Sequence, residues 1–106
     1  MNDSHWTASE KKIARRVFEG AVQSELAQLI SEFKAKAAVT EDSQTLWEIR
    51  DWLNKRQREI DSEYDYRYSQ LVFVFARLVR SGRIRMEELA GLSEQKLAEI
   101  QFVSER

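Results

Sequence analysis

The 106-residue sequence contains no cysteine and no proline, and it has only three glycines and one histidine. Without cysteine, disulfides, thiolate nucleophiles and cysteine-based zinc sites are excluded. A Ser-His-Asp site or a multi-histidine metal site would depend on His5, which lies near a chain terminus, where order is usually poor. Glycine-rich phosphate loops, HExxH motifs and calcium-loop motifs are also missing. The sequence therefore predicts no metal, no cofactor and no enzymatic activity.

An excess of one charge and long apolar runs are absent as well. Seventeen basic and 18 acidic side chains give a formal net charge of −1, which disfavours a chain-wide attraction for nucleic acid. The longest unbroken apolar run covers residues 71–76, whereas a membrane-spanning helix needs about 20 apolar residues. The polar start at Met1–Ser4 does not resemble a signal peptide. These features predict one cytoplasmic domain without a membrane span.

What is present is helical periodicity. Thr7-Ala8-Ser9-Glu10 has the form of a capping box, in which two side chains satisfy free backbone amides at a helix start. From Ile13 to Ala37, apolar residues recur at steps of three and four, which predicts a helix of about 30 residues. Gly20 lies inside it, either as a tolerated surface glycine or as the point where another helix comes close.

A second helix of about 20 residues is predicted after a polar turn at residues 39–44. Thr40 or Ser43 is its expected N-cap, with acidic residues in the first turn to suit the helix dipole. The acid-rich residues 61–65 are expected to end or bend it.

Three shorter helical segments are predicted in the rest of the chain. One extends from Tyr68 to Gly82, a plausible C-cap residue for this helix. It should be the most buried segment because it is apolar nearly all round. The others cover Met86–Ala90 and a last helix that begins at Ser93.

The lengths of the two long helices predict self-association. At 1.5 Å per residue they span roughly 45 Å and 30 Å, whereas a compact globule of this size has a radius of gyration of about 13 Å. The remaining chain is too short to cover their apolar stripes, and a symmetric dimer is the commonest solution. We predict an all-α fold in which two long antiparallel helices form a homodimer and are followed by a small helical head. The expected regions are a disordered N-terminus at 1–6, the dimerisation region at 7–62 and the head at 63–106.

The predicted second helix carries a candidate protein-binding surface. Trp47 and Asp51 are four residues apart and therefore share a helix face, which Asn54 and Arg58 continue. An exposed tryptophan beside a carboxylate is typical of an interface hot spot. Alternatively, Trp47 flanks the core or packs in a dimer interface.

A second candidate site is a group of four arginines. Between Asp65 and Glu87 the charged residues are all basic, and they include Arg77, Arg80, Arg83 and Arg85. Arginines at this spacing can meet phosphates, which makes nucleic-acid binding an alternative function. Arginines near the end of a helix also complement its dipole without binding any ligand.

Several segments together resemble the fluorescence recovery protein family of cyanobacteria. Each of the following patterns stands in this sequence: Phe18-x-x-Ala21-x-Gln23-x-Glu25-Leu26, Leu46-Trp47-x-x-x-Asp51-x-Leu53, Arg58-Glu59-Ile60-Asp61-x-x-Tyr64-Asp65-x-Arg67, Val72-Phe73-Val74-Phe75-Ala76-x-Leu78-Val79-x-x-Gly82 and Glu87-Glu88-Leu89-x-x-Leu92. The resemblance covers nearly the whole chain. It implies an all-helical, non-enzymatic homodimer that binds the orange carotenoid protein, chiefly its C-terminal domain. The bound partner then returns faster from its red to its orange form, which ends quenching at the phycobilisome.

The resemblance also implies roles for individual residues. The family's partner-binding tryptophan and aspartate match Trp47 and Asp51, its interface leucine matches Leu46, and a phenylalanine of its head matches Phe73. With the helix face added, the predicted partner contacts are Trp47, Arg50, Asp51, Asn54, Gln57 and Phe73. The predicted core or dimer-interface residues are Leu46, Ile49, Leu53 and Ile60.

Three positions depart from the family pattern. Arg50 replaces a histidine, Gln57 a functional arginine, and Glu99 a lysine of the last helix. The partner is therefore predicted to be the orange carotenoid protein or a related carotenoid-binding protein, with a different protein partner as the alternative. For a cyanobacterial source, association with the cytoplasmic side of the thylakoid is the alternative location.

Overall fold

The computed structural model describes residues 5–106 and confirms the all-α fold class; this part of the chain forms no β-strand. Two long helices are followed by three short ones. They are α1 (Ala8–Ala38), α2 (Ser43–Glu63), α3 (Leu71–Arg80), a 3₁₀ helix (Met86–Leu89) and α4 (Glu94–Ser104). The apolar, partly β-branched sequence of α3 is helical as predicted. No helix within the described range is long and apolar enough to cross a membrane.

α1 starts at the predicted capping box. The Thr7 hydroxyl accepts a hydrogen bond from the Glu10 amide at 3.1 Å, and the Glu10 carboxylate accepts one from the Thr7 amide at 2.9 Å. The helix then continues through Gly20 without a break. A Cβ atom at Gly20 would have nothing within 4 Å. Within the described part of this chain, Gly20 is therefore a surface glycine, and no other helix comes close to it.

α2 has a different N-cap from the two predicted. The carboxylate of Asp42 accepts a hydrogen bond from the Thr45 amide at 2.7 Å, so Asp42 is the cap and Ser43 is the first helical residue. The Thr40 hydroxyl instead donates to a carbonyl at the end of α1. The predicted caps were wrong, as were the acids expected in the first turn, because the helix starts only at Ser43, after Glu41 and Asp42.

α1 and α2 form an antiparallel hairpin. Near the turn, the Lys36 ammonium lies 4.8 Å from the centre of the Trp52 ring, and further along Arg56 pairs with Glu25 at 2.9 Å. The chain measures 53 × 25 × 25 Å with a radius of gyration of 16.9 Å, well above the value of about 13 Å for a compact chain of this size. Residues 31–39 are exposed throughout. The hairpin therefore extends beyond the part of the molecule that covers it.

The first half of α1 shares its hydrophobic core with the head. Its buried residues pack against those of α3, the 3₁₀ helix and α4 in one cluster. The members are Trp6, Ala14, Val17, Phe18, Ala21, Leu71, Val74, Phe75, Ala76, Leu78, Ile84, Leu89, Leu92 and Ile100. Residues 63–106 therefore need the first half of α1 to complete their core.

The segment predicted to be a disordered N-terminus, residues 1–6, is only partly described. Met1–Ser4 lie outside the described residues. Trp6 is 6% exposed, and its ring centre lies 5.8 Å from that of Tyr68. Trp6 is thus part of the head core.

A buried carboxylate joins the N-terminus of α1 to that of α4. Glu10 is 4% exposed. Beyond its cap role it accepts hydrogen bonds from the Ser93 amide at 2.8 Å and from the Lys96 ammonium at 3.2 Å. Burial raises the pKa of Glu10, but the hydrogen bonds from Thr7, Ser93 and Lys96 outweigh it, so the pKa lies below its usual value. The charged form of Glu10 therefore stabilises the head.

Candidate partner-binding surface

Three of the predicted contact residues meet on the outer side of α2. Trp47 is 51% exposed, and the Arg50 guanidinium lies 5.4 Å from its ring centre. The same guanidinium pairs with the Asp51 carboxylate at 3.1 Å. The helix supplies this arrangement because residues three and four apart share a face. We call Trp47, Arg50 and Asp51 the tryptophan surface.

Asn54 and Gln57 lie beside this surface but face a separate groove. The groove runs between α1 and α2, has a volume of about 440 Å³ and is mainly apolar. Its other lining residues are Val22, Leu26, Leu29, Leu53, Ile60 and Asp61. The predicted contact set on α2 thus divides into the tryptophan surface and one edge of the groove.

The four residues predicted for the core or dimer interface also divide into two pairs. Ile49 and Ile60 are 7% and 8% exposed, so they are buried within this single chain. Leu46 is 48% exposed and Leu53 is half-buried in the groove. Leu46 and Leu53 therefore present apolar surface that the chain itself does not cover.

Phe73 lies on α3 in the head and not on α2. Its side chain is 53% exposed, although α3 is otherwise the most buried helix, as predicted, with five of its ten residues buried. Glu99, one of the departures from the family pattern, is exposed on α4.

The arginines proposed as an alternative nucleic-acid site are largely used within the fold. Arg77 donates to the Glu63 carbonyl, and Arg80 donates to the Val103 and Ser104 carbonyls at 2.9 and 3.2 Å. These guanidinium groups hold neighbouring helix ends together. Arg85, by contrast, has a side chain that is 78% exposed and lies 4.0 Å from Glu88.

Arg83 belongs to a polar junction between the hairpin and the head. Its guanidinium donates to Gln28 at 2.8 Å and lies 3.7 Å from Glu25. Glu25 also accepts from Arg56 at 2.9 Å and from the Tyr64 hydroxyl at 2.8 Å. Burial raises the pKa of Glu25, but the hydrogen bonds from Tyr64 and Arg56 and the positive charges of Arg83 and Arg56 lower it below its usual value. Burial and the Glu25 charge raise the pKa of Tyr64.

Sequence reasoning missed this junction because its partners are far apart in the chain. The two hydrogen bonds from Arg56 and Tyr64 to Glu25 join residues 31 and 39 positions apart. No local pattern marks such pairs. Glu25 did stand within one of the motifs that carried the family resemblance.

Sequence reasoning also missed a basic cleft on the first half of α1. Its signal in the sequence is four cations within six residues. The Arg15 guanidinium lies 4.1 Å from the centre of the Tyr66 ring, and the Lys11 ammonium 5.0 Å from that of Tyr68. The cleft has a volume of about 500 Å³. It is lined by Lys11, Lys12, Arg15, Arg16, Glu19, Tyr66 and Tyr68.

Within residues 5–106, no group of three or more histidine, aspartate or glutamate side chains is placed to hold a metal ion. The tryptophan surface, the apolar groove and the basic cleft are all shallow and open, and none brings an acid, a base and a nucleophile together. Such surfaces suit contact with another macromolecule.

Comparison with known proteins agrees with this geometry. The sequence pattern of a family described as the photoprotection regulator fluorescence recovery protein matches residues 6–104. The fluorescence recovery protein of Synechocystis sp. is 34% identical over 102 residues, which cover 96% of this chain and 94% of that protein.

Solved structures of the same kind of protein share the fold. The fluorescence recovery protein of Fremyella diplosiphon superposes with a TM-score of 0.90 at 35% identity, covering 95% of this chain and 99% of that one. The Synechocystis sp. structure also gives a TM-score of 0.90, at 34% identity and with the same coverage. Because the match extends over nearly the full length in both sequence and structure, the chain belongs to the fluorescence recovery protein family of photoprotection regulators.

Proposed function

We propose that this chain is a non-enzymatic regulator that binds the orange carotenoid protein, or a related carotenoid-binding protein, and accelerates its return from the red to the orange form. It would act in the cytoplasm, on the cytoplasmic side of the thylakoid, and so end quenching at the phycobilisome. Family membership supports the regulatory role. The proposed contact is the tryptophan surface, with Asn54, Gln57 and Phe73 as further contacts.

The observation that carries this proposal is the exposure of Trp47 beside the ion pair of Arg50 and Asp51. A large aromatic side chain that is half exposed contributes little to folding but much to an interface once water is excluded. Arg50 covers the ring and is held by Asp51, so the surface is partly ordered before binding, which lowers the entropy cost of association.

Acceleration requires differential binding. A regulator speeds the red-to-orange step only if it binds the transition state more tightly than the red form. Each tenfold increase in rate needs about 1.4 kcal/mol of such preference. A surface of a few aromatic and charged side chains can supply this amount.

The proposal is tested by the recovery of the photoactivated orange carotenoid protein in the dark, followed by absorbance. The wild-type chain should accelerate recovery, and a Trp47→Ala, Asp51→Ala double variant should lose at least about tenfold of that acceleration. Phe102→Ala is the matched control, because Phe102 is 59% exposed and also lies under an arginine, Arg106, at 5.0 Å. Wild-type protein that leaves recovery unchanged would overturn the proposal, as would equal losses in the two variants.

We further propose that the chain acts as a homodimer, with the hairpins of two copies packed together along the apolar residues of the groove and with Asn54 and Gln57 left accessible at its edge. Beside the groove residues, Ile30 and Phe33 are 53% and 39% exposed on α1, and Leu46 is 48% exposed on α2. Apolar surface left open along a long hairpin is typical of a chain that buries it against a second copy.

Sedimentation at micromolar concentration tests the dimer. The 12.5 kDa chain should sediment at about twice that mass. Leu46→Glu should shift it toward the monomer, because a charge would be buried at the interface. Val39→Glu is the control, since Val39 is 76% exposed at the hairpin turn. A wild-type chain that sediments as a monomer would contradict the dimer.

A further inference from the structure

We propose that Glu25 is a positioning residue: it holds α2 at a fixed angle to the head, so that Trp47 on α2 and Phe73 on α3 can contact one partner at the same time. The inference rests on the proposed function in taking Trp47 and Phe73 as contacts of that partner. Glu25 is not one of these contacts. Its side chain is 13% exposed, and it acts through the helix that it holds.

α2 carries the tryptophan surface but shares no buried residue with the core of the head. Only Ile49 and Ile60 are buried among its 21 residues, and neither belongs to the hydrophobic cluster that joins the first half of α1 to α3, the 3₁₀ helix and α4. Apolar contact is non-directional, so these two side chains hold α2 against α1 without setting its angle. The angle therefore depends on polar contacts.

The two carboxylate oxygens of Glu25 accept from two different points along α2. Oε2 accepts from the Arg56 guanidinium at 2.9 Å, and Oε1 accepts from the Tyr64 hydroxyl at 2.8 Å. Arg56 and Tyr64 are eight residues apart, which corresponds to about 12 Å along the helix axis. Two fixed points on one axis define its direction, so a single side chain of α1 sets the tilt of α2.

The same junction is tied to α3, which carries Phe73. The Arg83 guanidinium, just after α3, lies 3.7 Å from Oε1 of Glu25. Arg77 follows Phe73 by about one turn of α3 and donates to the carbonyl of Glu63, the last residue of α2. A cation at this position complements the negative C-terminal end of α2. α2 and α3 are thus both held at the junction.

The burial of these charges is better explained by orientation than by stability. The side chains of Glu25 and Arg56 are 13% and 24% exposed. Removing such a pair from water offsets much of its attraction, and apolar replacements of buried pairs are often as stable. An apolar pair does not fix a direction, whereas hydrogen bonds constrain both distance and angle.

The distance between the junction and the tryptophan surface makes this orientation important. Trp47 stands 17 residues before Tyr64, or about 25 Å along α2. A tilt of about 10° at the junction would move Trp47 by about 4 Å, whereas a binding site has to be held within about 0.5 Å of its productive geometry. Without Glu25, a partner bound at Trp47 would not find Phe73 in place, and the second contact would lose its intramolecular advantage.

Two variants at one position separate placement from charge. Glu25→Ala removes both ties to α2. Glu25→Gln removes the charge but keeps the ties, because the amide oxygen still accepts from Arg56 and the amide nitrogen can donate to the Tyr64 oxygen. Glu25→Gln is therefore the matched conservative control.

The first test measures the placement of α2 directly. Because the chain has no cysteine, spin labels can be attached to cysteines introduced at Lys55 on α2 and Glu99 on α4, which are both exposed. The labelled chain is mixed with an excess of unlabelled chain, so that pulsed electron paramagnetic resonance reports only distances within one chain. Wild type and Glu25→Gln should give one narrow distance distribution, and Glu25→Ala should give a distribution at least about twice as wide.

The second test measures how much Phe73→Ala costs in each background. The recovery rate is followed against chain concentration, which gives the half-saturating concentration separately from the maximal rate. In wild type and Glu25→Gln, Phe73→Ala should raise the half-saturating concentration at least about fivefold. In Glu25→Ala the factor should be less than about twofold, because Phe73 is no longer in place. Trp47→Ala should cost the same factor in all three chains, because that contact is complete on α2 alone.

A loss of folding has a different signature. Unfolded chain raises the half-saturating concentration with and without Phe73→Ala alike, so the factor between them stays the same. Arg56→Met provides a milder second variant, because it breaks one tie and keeps the apolar part of the side chain. Arg67→Met is its control, since the Arg67 side chain is 69% exposed in the loop after α2.

An unchanged distance distribution in Glu25→Ala, or a Phe73→Ala factor equal to that of wild type, would overturn the proposal. So would Glu25→Gln behaving like Glu25→Ala, because placement would then not be the cause. The proposed function fails separately, if the wild-type chain leaves recovery unchanged. The spin-label distances test the role of Glu25 in that case as well.

Discussion

Replacing Glu10 with glutamine tests whether the buried carboxylate holds the head together. The variant keeps the shape of the side chain but removes its charge. One oxygen becomes an amide nitrogen, so either the Ser93 amide or the pair formed by the Thr7 amide and Lys96 faces a donor in place of an acceptor. Lys96, with a side chain only 14% exposed, also loses its counter-charge.

The size of the effect follows from these contacts. A hydrogen bond to a charged group contributes about 1.5–3 kcal/mol, and a buried donor left without an acceptor costs a similar amount. We therefore expect Glu10→Gln to lower the free energy of unfolding by about 2–4 kcal/mol. For a chain of this size that corresponds to a fall in the unfolding temperature of roughly 10–20 °C, which calorimetry or circular dichroism would measure.

The pH dependence gives an independent check. The pKa of Glu10 is lowered in the folded state from its ordinary value of 4.5. Its charge therefore stabilises the fold at pH values above 4.5, and this contribution is lost as the pH falls through the lowered pKa. The difference in free energy of unfolding between wild type and Glu10→Gln should therefore narrow below about pH 4.5.

Glu19→Gln is the control, since Glu19 is 62% exposed, and it should change the free energy of unfolding by less than about 0.5 kcal/mol. Equal stability of Glu10→Gln and wild type at pH 7 would refute this role of Glu10.

Three further substitutions test the fold by chemical denaturation. Gly20→Ala should raise the free energy of unfolding by about 1 kcal/mol, because a Cβ there meets nothing and alanine is the better helix former; an unchanged or lower value would contradict the open surface at this position. Gly91→Ala should lower it by more than about 1 kcal/mol, because φ is +109° and the new Cβ would lie 2.4 Å from the end of the Ile13 side chain; a neutral result would mean that Ile13 moves aside without cost. Tyr64→Phe should lower it by about 1–2 kcal/mol, because Glu25 loses a donor at 2.8 Å; no change would show that the junction does not depend on that hydrogen bond.

The hairpin was predictable from local patterns. A capping box, steps of three and four residues and an acid-rich end are all encoded by neighbours in sequence, and α1 and α2 appear where these signals stand. The N-cap of α2 was misplaced because Asp42, Ser43 and Thr40 all have cap-forming side chains. The choice among them depends on the backbone of the turn, which composition does not reveal.

The head was less predictable because its contacts are distant in sequence. Trp6 follows polar residues that show no helical periodicity, and nothing near it in the sequence indicates that its ring will pack against Tyr68. The Glu10 carboxylate reads as half of a capping box, and its second role becomes visible only when Ser93 is brought beside it. The basic cleft required only a count of cations, but its tyrosine floor comes from residues more than 50 positions away.

The contact between Glu10 and Ser93 joins residues 83 positions apart, and this separation has a consequence for the order of folding. A hairpin with a short turn closes quickly, whereas a loop of that length must lose more entropy before its contacts form. During synthesis, Val17 and Phe18 emerge about 80 residues before Ile100, with which they later share a core. Until the last helix has left the ribosome, the apolar side of α1 stays uncovered, and this interval is when the nascent chain is most open to aggregation or to a chaperone.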